Sequence, residues 1–137
     1  MTARLVGRLA SRRIPGRPRK WSTLSALTPL SPMHRIAELN DVVRRWNTEG
    51  TIFVTAGIAA MPFDDQADIL ERVREFDDFT PDNDPYGEHD FGQFEYKGKT
   101  IFWKIDCYDR ELKWGSPNPA DPTVTRRCLT ILLAEEY

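Results

Sequence analysis

The chain is poor in the residues that usually announce a chemistry. Its 137 residues include only two cysteines, Cys107 and Cys128, so one disulfide is the most they could form, and nothing else points to an oxidising compartment. Only two histidines are present, His34 and His89, and no cysteine pair stands at ligand spacing, which argues against a zinc centre. No glycine-rich phosphate loop, nucleophile elbow or internal repeat is visible, and no serine is paired with a base at a recognisable spacing. Long apolar runs are missing too. The most apolar stretch, Leu129 to Ala134, is far short of the roughly 20 residues that span a bilayer. The expectation is a reduced, cytoplasmic, non-membrane protein with a single modest domain.

Acidic residues are absent from residues 1–32, which carry seven basic side chains, Arg4, Arg8, Arg12, Arg13, Arg17, Arg19 and Lys20, and four prolines. Residues 33–137 hold the other 12 basic groups against 21 acidic ones, so this body sits near −9 while the whole chain is only −2. The first segment reads as a disordered basic extension, because it has too few apolar residues to build a regular face. Three readings of it stand: an arm that touches nucleic acid or an acidic partner, a start codon assigned too early with Met33 as the true start, or a targeting peptide. A secretory signal does not fit, since no apolar region follows the first arginines. The acidic body itself repels nucleic acid and attracts basic surfaces.

Within residues 33–137 the pattern predicts an α+β domain of order α-β-α-β-β-β, with about four mostly antiparallel strands and two helices packed on one face. Ser31 as N-cap and Pro32 at the first turn open a helix in which Ile36, Leu39, Val43 and Trp46 recur at helical spacing through Asn47. Asp41 and Arg45 form an i,i+4 pair on its wet side, and Gly50 supplies the stop. Thr51 to Ala56 reads as a short strand that Gly57 interrupts. Pro62 opens a second helix, with Asp64 and Asp65 at its positive end and Ile69, Leu70, Val73 and Phe76 on its apolar side. Phe91–Tyr96 and Thr100–Tyr108 form a hairpin turned at Lys97-Gly98, and Thr125 to Ala134 is the last strand. Trp46, Phe76, Phe94 and Trp103 are expected in the core.

Three runs carry a resemblance: FDDFTPDNDPYGEHDFG from Phe76 to Gly92, IFWKIDCYD from Ile101 to Asp109, and GSPNPADP from Gly115 to Pro122. Over about residues 35–137 the chain resembles a family of small bacterial proteins known only as a domain of unknown function. The resemblance implies a short protein starting near Met33 and brings no activity, cofactor or catalytic residue with it. It also implies that aromatic or aliphatic residues usually occupy positions 107 and 128, which weakens any role for the two thiols.

The strongest functional candidate is the loop from Asp77 to Asp90, where Asp77, Asp78, Asp82, Asp84, Glu88 and Asp90 stand without a single Lys or Arg among them. Such crowding is tolerated if a divalent cation, basic side chains from elsewhere or screening by salt offsets it. Asp82, Asn83, Asp84, Tyr86, Glu88, His89 and Asp90 form the candidate binding loop, with Asp84, Glu88 and Asp90 as candidate metal ligands and His89 as candidate general acid or base. The bland alternative is that Asn83, Asp84 and His89 hydrogen-bond the loop's own backbone. A second candidate surface is the sheet face left open by the helices, carrying Phe102, Lys104, Asp106 and Tyr108. Two functions follow. One is a non-catalytic accessory protein offering loop and open face to a protein with a basic surface. The other is a small divalent-metal-assisted hydrolase or phosphoryl-transfer enzyme using Asp84, Glu88, His89 and Asp90.

Overall fold

The computed structural model describes residues 31–137, so the expectations for the basic N-terminal segment fall outside the described residues. Helix α1 (Pro32–Trp46) starts where expected, with Ser31 Oγ accepting from His34 N–H at 3.2 Å and Pro32 at the first position. It ends at Trp46, one residue from the expected Asn47, and the stop is Asn47 rather than Gly50. Asn47 adopts the left-handed conformation (φ 57°) and its N–H closes on Val43 C=O, a C-cap that glycine or asparagine makes at low cost. Gly50 has another job, since a Cβ there would lie 2.9 Å from the Val43 methyls; its absence lets the next strand pass close to α1.

The buried stripe of α1 is Ile36, Ala37, Asn40, Val43 and Arg44. It is rotated away from the expected Leu39 and Trp46, and Trp46 is 69% exposed rather than in the core. Phe76 and Phe94 pack at the core's edge and Trp103 lies fully inside it.

Strand β1 (Gly50–Val54) is followed by a one-turn helix that local pattern did not announce, α2 (Ala56–Ala59), and then by α3 (Phe63–Glu75), which buries Ile69 and Val73. Hairpin strands β2 (Phe91–Tyr96) and β3 (Lys99–Tyr108) turn through Lys97 (φ 48°) and Gly98 (φ 82°), the two positive φ values that a tight two-residue hairpin requires. Strand β4 (Arg126–Leu133) completes the sheet. The strand order is β1-β4-β3-β2, with β4-β3 and β3-β2 antiparallel and β1-β4 parallel. The domain is therefore α+β with a mostly antiparallel four-stranded sheet.

The helices cover one face, where Ile101, Trp103, Ile105, Leu129 and Ile131 meet Val43, Ile58, Ile69 and Val73. Gly92 lies opposite Trp103 in the register, and a Cβ on it would sit 2.4 Å from the indole Nε1. The second face is not the open surface expected. Lys104 and Asp106 are each 1% exposed and ion-paired to one another, and Tyr108, Cys128 and Leu132 are buried on the same side. The Phe102 ring packs edge-on against Phe91 and Tyr137, at 5.2 and 5.7 Å between centroids, and the carboxylate that meets Lys104 spares the buried ammonium the cost of an uncompensated charge.

Candidate functional site

The 77–90 loop has no regular structure, yet it is held at many points. Its first half is a set of side-chain-to-backbone bonds. Asn83 Oδ1 accepts from Thr80 N–H at 2.8 Å, and Asn83 Nδ2 donates to Asp78 C=O at 2.8 Å. Asp84 N–H donates to Thr80 C=O at 2.8 Å, and the Asp84 carboxylate accepts from the Glu88 and His89 amides at 3.0 and 3.2 Å. Short polar side chains replace the missing ladder, as the bland alternative held for Asn83 and Asp84.

His89 does something else. Its backbone is left-handed (φ 55°), and its ring lies between the loop and α1. Nδ1 lies 3.0 Å from Asp41 Oδ2, Nε2 lies 3.7 Å from Asp84 Oδ2, and the ring stacks on Phe79 at 3.9 Å with 5° between planes. The Asp41 hydrogen bond raises the His89 pKa above its ordinary value, against an opposing effect of burial. For Asp41, burial works to raise the pKa, but the bonds from His89 and Arg44 outweigh it and hold the carboxyl below the usual range. A ring with carboxylates at both nitrogens is suited to carrying a proton as a latch.

Three residues of α1 that the sequence did not assign to the loop organise it. Arg44, fully buried, donates from Nη1 to the carbonyls of Val73, Arg74 and Phe76 at 2.9, 3.1 and 2.8 Å, and from Nη2 to Asp41 at 2.8 Å. It thereby caps the C-terminal carbonyls of α3, where a cation is favoured, with its guanidinium 5.4 Å from the Phe79 ring and 5.2 Å from Trp103. The expected Asp41–Arg45 pair is replaced by Asp41–Arg44, one position earlier, because Arg44 rather than Arg45 faces the core. Asn40, 1% exposed, donates to Glu88 C=O at 2.9 Å and accepts from Arg127 Nε at 2.7 Å. One turn of α1 thus grips the loop's entry through Arg44 and its exit through Asn40 and Asp41. The only trace of this in the sequence is that Asn40 and Arg44 fall on the stripe defined by Ile36 and Val43.

The six loop carboxylates divide into two sets. Asp77, Asp78 and Asp82 are exposed, whereas Asp84, Glu88 and Asp90 are buried. Asp84 is aimed at its own backbone and at His89, Glu88 lies close enough to Arg127 to favour that cation, and Asp90 contributes its carbonyl to Ile105 N–H at 2.9 Å. Among the described residues no three His, Cys, Asp or Glu side chains converge as a metal site would require, so Asp84, Glu88 and Asp90 are not brought together as ligands. Both cysteines are free and buried; burial pushes the Cys107 thiol up to about 12 and also raises Cys128, so neither is poised as a thiolate. Beside the latch lies a cleft of about 500 Å³, lined by Phe79, Pro81, Pro85, Tyr86 and His89 among others.

A family model described as a protein of unknown function (DUF3768) matches residues 54–136. The chain belongs to the DUF3768 family. The matched span begins at the last residue of β1 and holds the whole 77–90 loop and the β2–β4 sheet; it is shorter at the front than the 35–137 resemblance and leaves α1 outside. No match to the chain emerges from the curated proteins or from the solved structures. Among the described residues, no helix is long and apolar enough to cross a membrane.

Proposed function

We propose that this DUF3768 protein is a non-catalytic binding protein whose 77–90 loop receives a basic surface of a protein partner. One observation carries the reading: the loop is fixed from both ends by α1 and internally by Asn83 and Asp84, while Asp77, Asp78 and Asp82 remain exposed. A loop ordered before it binds loses less conformational entropy on docking. The neighbouring cleft adds Tyr86, Pro81 and Pro85 as apolar contacts beside the carboxylates, the mixture that protein interfaces favour. Electrostatic attraction to the acidic body then speeds encounter with basic partners.

The test is a photo-crosslinking residue placed at Asp82 of the full chain in its native cells. A discrete protein adduct is expected at position 82 and none at exposed Glu111, with loss of the adduct when Asp77 and Asp78 are reversed to Lys. An adduct that persists through the reversal, or none at all, overturns the reading.

A further inference from the structure

The two edges of the sheet are finished differently. At β2, Arg72 of α3 reaches across to donate to the Glu95 carbonyl at 3.3 Å, and the exposed side chains of Gln93 and Glu95 stand along the strand. Charged side chains and a covering helix are the usual ways of keeping an edge from pairing. Among the described residues, strand β1 carries neither. Its one strand neighbour among the described residues is β4, and Gly50, Thr51, Phe53 and Val54 are all exposed. No charged residue occurs from Gly50 to Phe63, so in a body near −9 this is where two copies approach with least repulsion.

Charge at the two ends of β1 also selects a partner and a direction. Beside Gly50 and Thr51 the wall of a cleft brings in Arg110, Arg126 and Arg127 against a single acid, Glu49, so this end is net positive. Beyond Val54, Glu136 bonds Thr55 Oγ1 and Gly57 N–H, which puts the Glu135–Glu136 turn at that end. Turned antiparallel to itself, the strand sets the arginine end of one copy against the glutamate end of the other. We infer that the free edge of β1 pairs antiparallel with β1 of a second copy, about a two-fold axis near Ile52, to make one continuous eight-stranded sheet. Such a contact is isologous and closed, so it stops at the dimer. Its five-residue strands give an interface below the roughly 1,200 Å² of a standard complex, so the dissociation constant falls in the micromolar range, about 1–100 μM.

Sedimentation equilibrium of the full chain tests this. The expected result is a monomer–dimer equilibrium that Phe53→Lys with Val54→Lys weakens by about tenfold or more, as charges on an edge do. Both positions are exposed (43% and 38%), so circular dichroism should show the fold unchanged. Arg126→Glu should weaken the dimer on its own, and adding Glu135→Arg should restore it. A chain that stays monomeric at about 500 μM, a dimer indifferent to the lysine pair, or one indifferent to Arg126→Glu overturns the inference. So does a monomer that binds only another protein's strand.

Discussion

Asp41 holds His89 across 48 residues of sequence, with Nδ1 at 3.0 and 3.1 Å from the two carboxylate oxygens, and the same carboxylate meets Arg44 at 2.8 Å. One acidic group therefore joins the cap of α3 to the exit of the 77–90 loop. Because His89 has a raised pKa and Asp41 a lowered one, the junction depends on pH in two directions.

For His89 the folded pKa exceeds the unfolded value of about 6.5, so its contribution to stability is fully present below that pH and is lost as pH rises through the folded pKa. Asp41 contributes fully above its unfolded value of about 3.9, and that contribution is lost as pH falls through the depressed folded pKa. The stability difference between the wild type and His89→Gln, measured by urea unfolding, should accordingly shrink as pH rises from 6 to 9. A difference that grows over that range contradicts the latch.

Arg44 is a costly side chain to remove. Arg44→Leu leaves the carbonyls of Val73, Arg74 and Phe76 without their donor and Asp41 with His89 as its remaining partner, a break in a largely buried network that costs roughly 3–5 kcal/mol. Arg45→Leu, at the exposed neighbouring position, should stay within about 0.5 kcal/mol. Equal losses in the two variants by chemical denaturation would mean that the stripe of α1 is misassigned.

Two glycines separate packing from backbone strain. Gly92→Ala drives a methyl into Trp103 and should cost about 1–3 kcal/mol, as overpacking does. Gly98→Ala meets open space, but its φ of 82° is unfavourable for alanine, so a smaller loss of about 1 kcal/mol is expected. Thermal unfolding of both variants orders them.

Trp46→Ala should leave stability nearly unchanged, within about 0.5 kcal/mol, because the indole is 69% exposed. A loss of several kcal/mol would instead place Trp46 in the core, where its helical spacing suggested it.

That contrast marks how far the sequence is legible. The β2–β3 hairpin could be read because alternation, β-branched residues and Lys97-Gly98 are all local signals, and the start of α1 could be read from Ser31 and Pro32. The parallel pairing of β1 with β4 could not, since more than 70 residues separate Val54 from Arg126 and nothing local names a neighbour. Arg44 was invisible for a related reason: an arginine reads as solvated until the end of α3 brings it three carbonyls. Alternation put Lys104 and Asp106 on the second face correctly, but not the burial of that face. In the loop, composition showed crowded carboxylates, and only folding could sort three outward from three inward.

Amide hydrogen exchange at Glu88 and His89 tests the central claim, that α1 holds the loop in one shape. In the wild type both amides, bonded to Asp84, should exchange slowly, and Asn40→Ala combined with Asp41→Ala should speed them by about tenfold or more while β3 and β4 amides keep their protection. Fast exchange in the wild type, or no change in the double variant, would contradict the account.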